Sequence, residues 1–353
     1  MLPFLLNRFR YSFLILLGVV TVVFFLFNVL PGDPARLTMG QRSDLQSLEN
    51  VRRELHLDKP MMTRYFLFLN DLSPISWLKN DKLDNQKYHF WKISPAIKQH
   101  FLAIKKPYLG RSYRTKRDVS ETLLEALPGT VILAISAMFL ATILGLLLGI
   151  LAALKKDSWI DTASIVASVA GISMPSFFAG LIIAYVFGYL LHSVTGLSMT
   201  GSLWNYDPVT GPSIAWRNLL LPALALGVRP LAIITQLTRS AMLDVLGQDY
   251  IRTAYAKGLS KFEVIFKHAL PNALNPVVTA VSGWLAELLA GSFFVEYIFG
   301  WKGVGKLTVD ALDKFDFPIV MGAVLLTAFL FILINLMTDI LYSKLDPRVR
   351  LHS

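Results

Sequence analysis

The sequence predicts an all-α integral membrane protein of six transmembrane helices, with a long extracytoplasmic loop after the first helix and a cytoplasmic helical elbow between helices four and five. Three observations carry this. Of 353 residues, 54% are hydrophobic and 16% charged, against about 25% charged in soluble domains. The apolar residues gather in runs of about 20 or more, long enough to cross a ~30 Å hydrocarbon core as helices. Lys and Arg flank one set of run ends, as they do on a cytoplasmic face.

The first span runs from Tyr11 to Gly32, uncharged throughout and preceded by Arg8 and Arg10. It exceeds the ~7 to 15 apolar residues of a signal peptide and ends in Pro31-Gly32-Asp33-Pro34, with no small-x-small cleavage site, so it reads as an uncleaved helix. Further spans are expected at Ala126 to Leu154, Thr162 to Leu191, Pro276 to Ile298 and Phe317 to Thr338. Between Asn218 and Ser240 the pattern is broken by Arg229-Pro230. A soluble loop there would expose Leu219 to Leu226 and Leu231 to Leu237, so this segment is read as a kinked span.

An even number of spans puts both termini on one side. Lys155, Lys156, Arg239, Arg252, Lys257, Lys261, Lys267, Lys344, Arg348 and Arg350 fall on that side, which is therefore the cytoplasm. Residues 33 to 121 hold 17 of the 34 Lys and Arg on the opposite side, but long loops cross largely regardless of charge. With Leu57-Asp58-Lys59-Pro60 and aromatic residues from Trp77 to Trp91, that stretch reads as a small folded or lid-like unit. The expected organisation is an N-terminus and first helix at 1–32, the extracytoplasmic region at 33–122, a five-helix core at 123–343 containing the cytoplasmic loop 241–275, and a cytoplasmic tail at 344–353.

In the loop, Asp249 is a candidate N-cap for a helix through Lys257 that Gly258 would terminate. Ser260-Lys261-Phe262-Glu263 fits a capping box, and Pro271 would stop the second helix after Leu270. Tyr250, Ala254 and Gly258 recur every four residues, presenting an aromatic and two small residues on one face suited to docking. The same periodicity fits a basic elbow lying on lipid headgroups through Arg252, Lys257 and Lys261.

Other chemistry is sparse. There is no cysteine, so no disulfide or thiolate metal site, and His56, His89, His100, His192, His268 and His352 lack metal-ligand spacing. Neither catalytic nor cofactor-binding residues are found. The net charge of +10 does not indicate nucleic-acid binding, because long charge-free runs separate the basic residues. Gly300-Trp301-Lys302-Gly303-Val304-Gly305-Lys306-Leu307 nearly spells a phosphate-binding loop, but Leu307 stands where a hydroxyl must bind magnesium. Arg229 and Glu287 are the charged residues near the middle of predicted spans. Each lies about 11 residues, or ~16 Å of helix rise, from the cytoplasmic end, so they form a candidate intramembrane pair.

The run Asp249-Tyr250-Ile251-Arg252-Thr253-Ala254-Tyr255-Ala256-Lys257-Gly258-Leu259, followed by His268-Ala269-Leu270-Pro271-Asn272-Ala273, resembles the cytoplasmic signature loop of binding-protein-dependent ABC permeases. Where the general pattern has Glu-Ala-Ala, this chain has Arg252-Thr253-Ala254, the variant typical of the dipeptide, oligopeptide and nickel subfamily; His268 replaces an aliphatic residue. The resemblance extends through Arg8-Phe9 with Pro31-Gly32-Asp33-Pro34, Leu109-Gly110-Arg111-Ser112, Leu127-Pro128-Gly129-Thr130, Ser173-Met174-Pro175, Leu237-Thr238-Arg239-Ser240-Ala241-Met242, and Glu296-Tyr297-Ile298-Phe299 before Gly303-Val304-Gly305. Lys302 stands where the family often has proline, and the outer loop has extra residues around Pro74 to Lys106.

The resemblance implies a non-catalytic permease subunit of the bacterial inner membrane carrying peptides. It implies a second homologous permease, two cytoplasmic ATPase domains that bind the ATP and Mg, and an extracytoplasmic substrate-binding protein. It also implies an ATPase-coupling loop made by Asp249, Tyr250, Arg252, Thr253, Ala254, Ala256, Lys257, Gly258, Leu270 and Pro271. The alternative is an ion-coupled secondary transporter, which needs coupling carboxylates at midplane and has Glu287 alone to offer.

Overall fold

A computed structural model describes residues 2–29, 49, 52, 57–79, 88, 90–93, 100–207 and 211–345. Pro31-Gly32-Asp33-Pro34 and the basic tail residues Arg348 and Arg350 lie outside them. The main helices among these residues are α1 Leu2–Val29, α2 Met61–Leu72, α3 Val119–Leu154, α4 Trp159–Ser173, α5 Ser176–Tyr185, which continues as a π-helical turn Val186–Leu190, α6 Arg217–Leu246 and α7 Asp249–Ala256. There follow α8 Lys261–Gly291, α9 Phe293–Phe299, α10 Val304–Asp313 and α11 Phe317–Leu345. Five of these, α1, α3, α6, α8 and α11, are long and apolar enough to cross a membrane, and counting the bent pair α4 and α5 as one span gives six.

Hydropathy places the helices but misses four features. The all-α expectation is corrected by two antiparallel sheets among the described residues. One has the order β1-β3-β2, with β1 Ile75–Lys79, β2 Phe90–Lys92 and β3 His100–Lys105; the other is a hairpin of β4 Trp204–Asp207 and β5 Gly211–Ile214. Each strand is six residues or shorter, too brief for its alternation to stand out beside long apolar runs.

The third expected span is broken, not continuous. Its two halves, Trp159–Ser173 and Ser176–Leu190, meet at 113°. Met174, forced out of the helical region by the proline after it, is extended at φ −80° and ψ 125°. By contrast α6 runs unbroken through Pro222 and Pro230.

The fifth expected span, Pro276 to Ile298, begins earlier and ends at Gly291. Pro271 does not stop the preceding helix. A π-helical turn at Val264–Ala269 shifts the hydrogen-bond register just before the proline, which lacks an amide hydrogen, so the chain passes through it.

The chain forms two compact units. In the unit comprising residues 1–125 and 310–329, Val20 and Val23 of α1 pack with Phe68, Leu69 and Leu72 of α2 and with Met321 and Leu325 of α11. Thr21 and Tyr65 share a 2.7 Å hydrogen bond. Leu78, Tyr88, Phe101 and Ala103 form the core of the three-stranded sheet. The Leu109-Gly110-Arg111-Ser112 motif builds a turn: Gly110 adopts φ +87°, and buried Ser112 donates to Asp316 while accepting from the Thr115 amide at 2.9 Å. Asp316 also accepts from the Tyr113 amide at 2.9 Å.

In the unit comprising residues 126–309 and 330–353, α3 lies against α6 through glycine. A Cβ at Gly145 would come within 2.8 Å of Ile234, and one at Gly149 within 2.7 Å of the Thr235 carbonyl. Small residues allow this close approach where lipid offers no hydrophobic drive. Leu133, Ala137, Leu226, Ile234, Val277, Leu288, Phe299 and Trp301 fill the core.

Candidate functional site

The segment singled out by sequence folds as two short arms on a shared apolar hub. α7 follows Gln248, which is extended and makes no side-chain cap, so Asp249 is the first helical residue and not the cap. Gly258 ends the arm at φ +80°, a left-handed conformation that glycine adopts without strain. The capping box forms as expected: Ser260 Oγ accepts from the Glu263 amide at 3.3 Å, and Glu263 accepts from the Ser260 amide at 3.3 Å.

Burial separates the two faces of the elbow. Ile251 and Ala254 turn inward onto Ile150, Ala153, Met242, Val264, Ile265 and Ala269. Ala254 therefore does not share an exposed face with Tyr250 and Gly258; a helix lying on this hub must bury positions 251 and 254 together, three residues apart. Exposed on the outside are Asp249, Tyr250, Arg252, Thr253, Tyr255, Ala256, Lys257 and Gly258. Beside them Phe262 and Phe266 hold their ring centroids 4.4 Å apart, with Phe262 exposed. Leu270 and Pro271 sit within α8, Leu270 packing on the hub and Pro271 exposed. The hub joins α6, α7 and α8 through side chains of all three.

The predicted intramembrane charges come together. Arg229 Nη1 lies 3.9 Å from Glu287 Oε1, both side chains about half exposed at 51% and 55%. The Arg229 guanidinium also lies 5.7 Å from the Trp284 ring centroid.

A tighter ion pair joins residues far apart in the sequence. Asp161, 2% exposed, receives a bidentate grip from Arg239, with Nη2 to Oδ2 at 2.7 Å. The signal was available: Ser158 and Asp161 have capping-box spacing, and Ser158 does cap α4. Arg239, read only as a mark of the cytoplasmic side, is an anchor between α4 and α6.

The near phosphate loop is already filled from within. Glu296 is completely buried; its carboxylate accepts from Ser292 Oγ at 2.7 Å and from the Lys306 amide at 3.1 Å. Thr130 and the Gly305 amide donate to it as well. Burial pushes its pKa up despite these four donors. A Cβ on Gly303 would come within 2.6 Å of the Glu296 carboxyl carbon, and one on Gly305 within 2.9 Å of its oxygen. The glycines thus admit an internal carboxyl group where a phosphate loop would admit nucleotide. Trp301 Nε1 donates to the Gly129 carbonyl at 2.9 Å and the Val304 amide to Thr130 Oγ1 at 2.8 Å. Three sequence motifs, at 127–130, 296–299 and 300–307, therefore meet at one structural centre. Lys302, at the position where a proline was expected, donates its amide to Ser202 Oγ at 3.2 Å.

Comparison with known proteins identifies the family. The model for the binding-protein-dependent transport system inner membrane component matches residues 145–351, and that for the N-terminal part of such membrane components matches residues 1–76. The di/tripeptide transport system permease protein DppB of Pseudomonas aeruginosa (strain UCBPP-PA14) is 36% identical over 365 residues, covering 99% of each chain. The dipeptide transport system permease protein DppB of Alkalihalophilus pseudofirmus is 33% identical over 365 residues, covering 99% of this chain and 100% of that one. The glutathione transport system permease protein GsiC of Escherichia coli (strain K12) is 36% identical over 337 residues, covering 95% and 94%. With the family model matching more than half of the chain and these relatives aligned along nearly all of it, the chain belongs to the inner membrane components of binding-protein-dependent transport systems.

Proposed function

We propose that this chain is the membrane subunit of an ATP-driven importer of peptides, forming half of a translocation pathway with a second homologous permease. It has six spans, the bent pair α4 and α5 counting as one, and both termini lie in the cytoplasm of a bacterium. The chain is non-catalytic: ATP and Mg bind to two partner ATPase domains, and a separate extracytoplasmic protein delivers the peptide to the side that carries residues 33–122. The peptide cargo follows from relatives whose names specify dipeptides, tripeptides and glutathione.

The observation that carries the mechanism is the elbow's two-faced burial. An outer surface of Tyr250, Tyr255, Phe262, Lys257 and Arg252 is free for a partner, while Ile251 and Ala254 tie the same arm to α6 and α8. A partner that grips the outer face moves the hub, and the hub is continuous with two spans, so closure of the ATPases becomes a tilt of packed helices. The residues proposed for coupling are Asp249, Tyr250, Arg252, Thr253, Ala256, Lys257 and Gly258 on the outside, with Ala254, Leu270 and Pro271 supporting them. The ion-coupled alternative loses its main support, because Glu287 faces the Arg229 guanidinium.

Uptake of a labelled dipeptide into proteoliposomes holding the chain with its permease partner, ATPases and receptor tests this reading. Uptake should require ATP hydrolysis, and a cysteine replacing Lys257 should cross-link to the ATPase. Transport that proceeds without the ATPase on a proton or sodium gradient would overturn it.

A further inference from the structure

Along α8, Asn272, Asn275, Thr279, Gly283 and Glu287 follow one another at intervals of three or four, so they lie on one helix face. All five are exposed, while Ala273, Val277, Ala286 and Leu288 are buried. The stripe ends at the Arg229–Glu287 pair, which at 3.9 Å is too long for a hydrogen bond and leaves both side chains half exposed.

Such a face is poorly suited to lipid. Half-exposed charges in the middle of a span face water or protein, because hydrocarbon gives them no compensating partner. Thr279 satisfies itself on the Asn275 carbonyl at 3.2 Å and Asn272 on the His268 carbonyl at 2.8 Å. Among the described residues the Asn275 side chain has no partner within the chain. A Cβ at Gly283 would meet nothing within 4 Å, so space is open one helical turn from Glu287.

We propose that this face lines the transport pathway, and that Arg229 and Glu287 form a transient binding site for the two ends of a zwitterionic peptide. This rests on the peptide-permease reading above. Arg229 takes the terminal carboxylate, as guanidinium takes carboxylates bidentately, and Glu287 takes the terminal ammonium. Trp284, already beside Arg229, offers an apolar surface to a cargo side chain. A zwitterion brings one charge of each sign, so exchanging the loose internal pair for two pairs with cargo leaves no charge unmatched.

The chain contains no cysteine, so N275C, T279C and G283C each carry a single label site. Their reaction with a charged, water-soluble methanethiosulfonate is followed in the detergent-solubilised importer, beside L147C on an exposed apolar face. The stripe positions should react at least tenfold faster than L147C. Millimolar free dipeptide, without receptor, should slow G283C severalfold, whereas the same dipeptide acetylated and amidated at its ends should not. Adding E287Q to G283C should abolish that protection, judged against the double variant's own rate without peptide. Stripe positions no faster than L147C would mean that lipid or the second subunit covers the face, and equal protection by free and capped peptide would remove the terminal-recognition role. If wild-type uptake is ATP-dependent and the labelling fails, this inference alone falls; if uptake itself is absent, both fall.

Discussion

Glu296 shows how a single side chain decides what a glycine-rich loop can do. The amides of Gly305 and Lys306, which in a phosphate loop would face a nucleotide, face this buried carboxylate instead. Burial raises its pKa above the ordinary ~4.3 of a glutamate. The folded state then binds the proton more tightly than the unfolded state. Stability from this group is therefore complete below pH ~4 and declines as pH rises through the raised value. Glutamine cannot ionise; its amide NH₂ would donate to Ser292 Oγ, a hydroxyl able to accept, while its carbonyl keeps the Lys306 amide. In E296Q the pH-dependent decline should therefore shrink, while stability at pH ~4, where Glu296 itself holds its proton, should change by less than about 1 kcal/mol. Thermal unfolding of the purified protein between pH 4 and pH 8 measures both. A wild-type slope retained in E296Q would show that another group titrates.

At the scale of elements, the elbow separates packing from contact, and its two faces should respond differently to truncation. Ile251 is 1% exposed on the hub, so I251A should cost about 2–5 kcal/mol, as truncation of a buried aliphatic side chain does. Phe262 is 68% exposed, so F262A should change stability by less than about 0.5 kcal/mol yet weaken uptake and cross-linking to the ATPase. Unfolding midpoints measured beside transport rates discriminate the two; F262A with full uptake would move the docking surface away from this ring.

The contrast also shows what the sequence makes legible. Apolar runs, Gly258 as terminator and the Ser260–Glu263 capping box are local signals, and the structure has all three. Four-residue spacing identifies neighbours on a face but not which face is buried, so it predicts an outward Ala254 where the structure buries it. Pro271 predicts a stop because no local signal announces the π turn before it. The Glu296 centre stayed hidden for another reason: its partner Thr130 lies far away in sequence, and hydrogen bonds between distant motifs leave no periodic trace.

For the molecule as a whole, the bend between Ser173 and Ser176 decides the topology. At 113°, α4 and α5 either cross the bilayer as one broken span or enter and leave by the same face. A crossing gives six spans and puts both termini together; a re-entrant pair gives five and puts the termini on opposite sides. Helix interruptions at membrane depth are tolerated where protein or water, not lipid, meets the freed backbone groups. The exposed hairpin residue Ser213 and the exposed Lys156 flank the bent pair, and the absence of native cysteine makes a substituted thiol at either position unique. In intact cells an impermeant maleimide should label S213C directly, and K156C and K257C only after permeabilisation. Labelling of S213C and K156C from the same face would make the pair re-entrant. The chain between α6 and α8 would then be placed by the label at K257C alone, and a K257C reachable from outside would put the elbow where no cytoplasmic ATPase can grip it.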